Sequence, residues 1–257
     1  MIDSAQMYHN EKEVGTAIRT FLKNNPSVKR EDIFYTTKLA SNDGYNRSLK
    51  SLETSLQVCG LEYIDLILIH SPYGGPKARN ESWQALLEAQ KRGWTKSIGV
   101  SNYGVKHLQE MLKQGYKPAI NQVDLHPYMT RTDIVQFCQK NDIILQVHAF
   151  DLDILLISAY APLTRGFRIR HPPLLEIARK YNKSAAQVLI RWGLQHGYVE
   201  IPKSAKRERI LENTKVWDFE IEDKDMKALD AMDEYLITGI SLLYLNLTED
   251  WDPTGTN

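Results

Sequence analysis

Short runs rich in β-branched residues alternate with longer amphipathic stretches along most of the chain, and no proline-rich, glycine-rich or low-complexity block interrupts the alternation. Strand-like runs fall at Met1–Ser4, Ile33–Leu39, Tyr63–His70, Lys96–Ser101, Ala119–His126 and Tyr198–Ile201, with a less regular region from Ile143 to Pro162. Between them, apolar residues recur every three or four positions. In Glu11–Asn24, for example, Val14, Ile18, Phe21 and Leu22 share one stripe. The same spacing predicts helices near Arg47–Cys59, Glu81–Arg92, Val105–Gln114, Thr132–Lys140, Pro172–Tyr181, Ala185–Gln195 and Arg207–Lys215. Strand and helix alternating along most of the chain with short connections imply a parallel sheet. A glycine-rich dinucleotide turn would favour an open doubly wound sheet over a closed barrel, and no G-x-G-x-x-G occurs here. The expected fold is therefore α/β, a (β/α)8 TIM-type barrel, forming a single domain over residues 1–257.

Composition limits what such a domain can do. The chain has 257 residues, with 32 basic side chains balancing 32 acidic ones, so no global field draws it to nucleic acid or an anionic membrane. Its longest apolar run, Leu236 to Leu247, is broken by Thr238, Gly239, Ser241 and Asn246 and is too short to span a bilayer. Cys59 and Cys138 lack metal-ligand spacing, and no signal peptide precedes the first strand. The reading is a cytoplasmic protein with no metal, whose partner is a small molecule. The sequence does not speak to oligomeric state.

Parallel βα units bring the carboxyl ends of their strands to one face, where a site can form from residues distant in sequence. Asp3, Tyr8, Lys38 and His70 all lie at or just beyond such ends. Taken singly, each is an ordinary half-buried or solvated residue.

The segments IDSAQMYHNEKEVG, TTKL, IDLILIH, SIGVSN, INQVDLHP, AYAPLTRG and IPKSAKRERILEN, in that order, resemble the aldo-keto reductase family nearly end to end. HSPYGGPKARNESW and WDPT are similar to a fungal branch of it. The resemblance implies NADPH as cofactor, bound without a Rossmann fold, and reduction of aldehydes and ketones to alcohols. It implies a catalytic tetrad of Asp3, Tyr8, Lys38 and His70. Carbonyl reduction places negative charge on oxygen, so a positioned acid lowers the barrier. Tyr8 is that acid, Lys38 stabilises its tyrosinate, Asp3 orients the lysine, and His70 orients the carbonyl oxygen. Ser101, Asn102 and Gln122 match the groups that hold the nicotinamide carboxamide, Tyr160 the ring that stacks on it, and Leu163 a further cofactor contact. Lys203, Ser204 and Arg209 match the grip on the 2′-phosphate, and Glu212 and Asn213 the adenine contacts. Trp94, Tyr73 and His126 are candidates for the substrate pocket. Tyr8 and Lys12 also fit Y-x-x-x-K, the spacing of short-chain dehydrogenases, but too few residues precede Tyr8 for that family's nucleotide turn.

Against the family pattern the chain reads as N-terminally truncated, an incomplete barrel with the first strand and helix missing, and with insertions at 146–158 and 237–249. Two near-copies of one strand, Asp142–Gln146 and Asp153–Ser158, compete for one place, and Ile154–Ala161 is expected to take it because that keeps Tyr160 in register. Alternative readings are a non-catalytic nucleotide-binding or regulatory subunit of the same fold and an inactive truncated fragment.

Overall fold

Strands β2 (Tyr35–Leu39) and β3 (Ile64–Ile69) are buried at every position. This is the outcome expected of nearly continuous apolar and β-branched sequence in a parallel sheet covered on both faces. The structure, a computed structural model, describes residues 1–148, 163–164 and 167–236. These fall into two compact units, Met1–Asn121 and the described part of Gln122–Leu247.

In the first unit, β1 (Ile2–Asp3), β2, β3 and β4 (Thr95–Ser101) pair in chain order and in parallel. The register sets Asp3 beside Thr36, Lys38 beside Leu68, and Leu68 beside Gly99. Because side chains alternate with period two, Lys38 shares a face with Leu66 and Leu68, and His70, the residue after β3, continues that face. Strand β5 (Ile120–Val123) begins beside β4, where Ala119 N–H donates to Ile98 O at 3.0 Å. Leu66, Leu68 and Ile120 form a buried cluster below the strand ends.

Helices α1 (Glu11–Asn24), α2 (Tyr45–Cys59), α3 (Gly75–Lys91) and α4 (Val105–Lys113) link these strands. They bury Ile18, Leu52, Trp83, Leu86 and Leu108, each such side chain contributing about 1.5–3 kcal/mol when fully removed from water. Gly15 of α1 meets the end of α2 so closely that a Cβ there would lie 1.8 Å from Cys59 O. Gly15→Ala forces the helices apart and is expected to cost about 1–3 kcal/mol. A urea midpoint equal to that of the parent chain would contradict this packing.

In the second unit, β6 (Ile144–His148) and β7 (Val199–Ile201) pair in parallel, with Gln146 opposite Val199. Helices α5 (Thr132–Lys140), α6 (Pro172–Lys180), α7 (Ala185–Gln195), α8 (Arg207–Asn213) and α9 (Asp223–Asp230) bury Ile134, Leu174, Val188, Trp192 and Leu229. Helix α7 starts on a capping box, in which Ser184 Oγ accepts from Gln187 N–H and Gln187 Oε1 accepts from Ser184 N–H.

Strand β6 corrects one expectation. The earlier of the two near-copies is in the sheet, where Gln122 Nε2 of β5 donates to Gln146 Oε1 of β6 at 2.8 Å. Residues 146–148 therefore belong to strand β6. The physical reason is burial: Leu145 and Val147 are at most 5% exposed, and a buried Gln122 amide finds its partner only if Gln146 stands opposite. The competing copy and Tyr160 lie outside the described residues, as does the segment 237–249 expected to be an insertion.

Candidate active site

Three strand ends in the first unit supply the candidate tetrad. Lys38 is fully buried, and its ammonium donates to Asp3 Oδ1 at 2.5 Å and to Ser4 O at 3.0 Å. The Asp3 side chain is itself only 4% exposed, so this is a desolvated ion pair. A left-handed His9 (φ 52°) closes the short 3-10 turn Gln6–Tyr8 that follows β1. That turn brings the Tyr8 ring to 5.1 Å from Lys38 Nζ and, edge to face, to 5.8 Å from the His70 ring. Sequence reasoning named these four residues, and the structure brings them together.

Their electrostatics follow from burial. Desolvation lowers the Lys38 pKa, while the Asp3 carboxylate opposes that shift by charge and hydrogen bond. Burial, and secondarily the Lys38 charge, holds His70 well below its usual 6.5, so the imidazole is neutral at neutral pH. A folded-state pKa below the unfolded one means that the unfolded chain takes up a proton the native His70 refuses. Stability is therefore lost as pH falls below 6.5, by up to about 1.4 kcal/mol per pH unit for this group. Thermal unfolding from pH 7.5 down to pH 5 should show a shallower decline for His70→Gln than for the parent chain. Equal slopes would contradict a neutral, buried His70.

At the end of β4, Ser101 is buried and Asn102 takes a left-handed conformation (φ 61°), which asparagine tolerates better than most residues. Its Nδ2 donates to His70 O at 3.0 Å and to Ser101 Oγ at 3.2 Å, tying the two strand ends together. Asn121, which sequence reasoning did not single out, clamps the next residue: its Nδ2 donates to Tyr103 O at 2.9 Å, and its Oδ1 accepts from Tyr103 N–H. Of the pocket candidates, Tyr73 lies in the loop after β3, where its carbonyl accepts from Asn42 Nδ2 at 2.6 Å. His126 is buried against Tyr128 and 3.7 Å from Asp124. Trp94 does not belong with them. It precedes β4, its carbonyl accepts from Ile64 N–H at the start of β3, and Arg92 covers its ring, so it sits at the amino ends of the strands, opposite the tetrad. Lys12 is exposed on α1, so its spacing from Tyr8 is incidental.

In the second unit a cavity of about 650 Å³ is lined by Leu163, Lys203, Ser204, Arg209, Glu212 and Asn213, all six named from sequence. It is also lined by Arg170, Arg179, Lys183 and Ser184, which were not. These lie on α6 or beside it and at the start of α7, far in sequence from the basic segment 203–209, so no local motif marks them. Five cationic side chains and the amino end of α7 make the cavity suited to a phosphate. Among the described residues no group of His, Cys, Asp and Glu could hold a metal ion, and no helix is long and apolar enough to cross a membrane. Cys59 and Cys138 are buried, and neither is in a disulfide.

The aldo/keto reductase family pattern matches residues 1–234. The chain belongs to this family. An uncharacterized oxidoreductase of Schizosaccharomyces pombe is 43% identical over 98% of the chain and 82% of its own length. Glyoxal reductase of Bacillus subtilis is 40% identical over 91% of the chain and 78% of its own length. Among solved structures, the aldo-keto reductase of Bombyx mori in complex with NADP superposes with a TM-score of 0.83 at 30% identity, covering 97% of this chain and 83% of that one. The α/β fold is thus that of an aldo-keto reductase, consistent with a (β/α)8 barrel, and the relatives place the chain among oxidoreductases.

Proposed function

We propose that the chain is an NADPH-dependent carbonyl reductase in which Tyr8 is the proton donor. The observation that carries this reading is the buried Lys38–Asp3 ion pair set beside the Tyr8 ring, with the neutral His70 edge to face against the same ring. A desolvated ammonium next to a phenol favours the phenolate, and so brings the acid within reach of neutral-pH chemistry. Asp3 keeps Lys38 charged and fixed. Neutral His70 can donate one N–H to a carbonyl oxygen without competing for the proton. As negative charge grows on that oxygen, Tyr8 Oη delivers its proton there, and the alcohol forms.

NADPH, when bound, supplies the hydride. The cationic cavity fits its adenosine 2′-phosphate: Lys203, Ser204 and Arg209 would hold the phosphate, with Glu212 and Asn213 at the adenine and Leu163 alongside. The family resemblance assigns Ser101, Asn102, Gln122 and Tyr160 to the nicotinamide. Glyoxal reductase among the relatives supports a small aldehyde or ketone as substrate. We place the enzyme in the cytoplasm as one domain.

Fluorescence titration with NADPH and with NADH tests the cofactor assignment. NADPH should bind at least tenfold more tightly, because NADH lacks the 2′-phosphate that these cations are assigned to grip. Equal affinities would contradict the assignment of Lys203 and Arg209.

A further inference from the structure

The turn that carries Tyr8 is three residues long, and such a short 3-10 segment has little stability of its own. Two backbone bonds run within it, Tyr8 N–H to Ala5 O at 2.9 Å and His9 N–H to Gln6 O at 3.2 Å, Ser4 Oγ donates to Asn10 Oδ1 at 2.5 Å between its flanks, and no side chain caps its amino end. The anchoring comes from Gln6. Its Nε2 donates to Ser55 Oγ at 2.9 Å and to Ser51 O at 3.3 Å, both on α2. Its Oε1 accepts from Ala40 N–H at 2.9 Å, just past β2, and from Ser51 Oγ at 3.0 Å. An amide side chain has two donors and two acceptor sites, and here all four are used.

The other side of the turn is held on the same helix. Glu11 Oε1 accepts from Thr37 Oγ1 at 2.6 Å, and its Oε2 accepts from Ser55 Oγ at 3.2 Å. Ser55 therefore receives a hydrogen bond from the residue two before Tyr8 and gives one to the residue three after it. The proton directions are consistent along Gln6, Ser55 and Glu11, so the clamp is satisfied as a network.

We infer that Gln6 is a positioning residue for Tyr8, acting through a Gln6–Ser55–Glu11 clamp that fixes the Tyr8 turn to α2 and to the end of β2. This rests on the reading of Tyr8 as proton donor. Misplacing a reacting group by about 1 Å can cost about a hundredfold in rate, so the turn has to be held from outside.

The test uses Gln6→Met, which keeps the length of the side chain and removes its four hydrogen bonds. On the full chain with NADPH and 4-nitrobenzaldehyde, kcat should fall about 10- to 100-fold and its pH profile should shift, while NADPH affinity changes by less than about twofold. In a Tyr8→Phe background the same substitution should have no further effect on residual turnover. Parent-like kcat and pH profile in Gln6→Met, or an equal loss in both backgrounds, would overturn the inference. If Gln6→Met does not fold, Ser55→Ala breaks the clamp at its centre and is judged by the same two criteria. Tyr8→Phe with full turnover would remove the proton donor itself, and the clamp's role with it. Inactive Tyr8→Phe beside fully active Gln6→Met would remove only the clamp.

Discussion

Tyr8→Phe is expected to lower carbonyl turnover about 10²- to 10⁴-fold while leaving NADPH affinity unchanged. The substitution keeps the ring that packs edge to face on His70 and faces the Lys38 ammonium, and removes only the hydroxyl. Fold should survive because only a hydroxyl is removed, and NADPH affinity should survive because the phosphate grip is assigned to Lys203, Ser204 and Arg209 and not to Tyr8. What is lost is the proton that neutralises the forming alkoxide. Steady-state kinetics beside a fluorescence titration separate the two effects: equal kcat in the variant would remove Tyr8 from the acid role, whereas loss of NADPH affinity would mean that the hydroxyl serves binding instead.

Lys38→Met is expected to damage stability and chemistry together. The Asp3 carboxylate, 4% exposed, would remain in the interior without its counter-ion. Breaking one partner of a buried pair costs about 3–5 kcal/mol, a large share of a typical domain's margin. Without the ammonium, no cation beside the Tyr8 ring would favour its phenolate, and proton transfer near neutrality should slow. The double variant Asp3→Asn/Lys38→Met should regain much of the stability, since no charge is left buried, and none of the turnover. Urea unfolding and initial rates on the three proteins check this. A Lys38→Met chain as stable as the parent, or a double variant with restored activity, would contradict the roles given to the pair.

Much of the architecture was legible because periodic burial leaves a periodic sequence. Glu11–Asn24 forms as its stripe predicts, with Ile18 1% exposed at the centre of the buried face. Helix α9 escaped notice because Asp223–Asp230 offers only Met226, Ala228 and Leu229 among charged neighbours, so its one buried anchor, Leu229, makes no visible stripe. The β6 assignment went astray for a different reason. Two near-identical apolar runs have equal strand propensity, and what separates them is a cross-strand partner, the Gln122–Gln146 amide pair, that no local pattern encodes. Trp94 was misjudged because an aromatic residue beside a strand says nothing about which end of the strand it occupies until the chain direction in the sheet is fixed.

For the site, Asp3, Tyr8, Lys38 and His70 were named through the family resemblance, since each taken singly reads as an ordinary residue near a strand end. Their support was not. Gln6 reaches Ser51 and Ser55 across 45 and 49 residues of sequence, and Asn121 reaches back 18 residues to hold the backbone after Asn102. Arg170, Arg179 and Lys183 join the cationic cavity from α6 and the start of α7. Each of these contacts exists only once the helices have packed.

The most direct test of the account is made on the purified chain: saturation with NADPH followed by fluorescence, then addition of 4-nitrobenzaldehyde in the same cuvette with absorbance recorded at the nicotinamide band. Saturable binding followed by aldehyde-dependent oxidation of NADPH is the predicted result. Folded protein that binds NADPH without oxidising it across a panel of aldehydes and ketones would contradict the claim that Asp3, Tyr8, Lys38 and His70 form a working proton-transfer site.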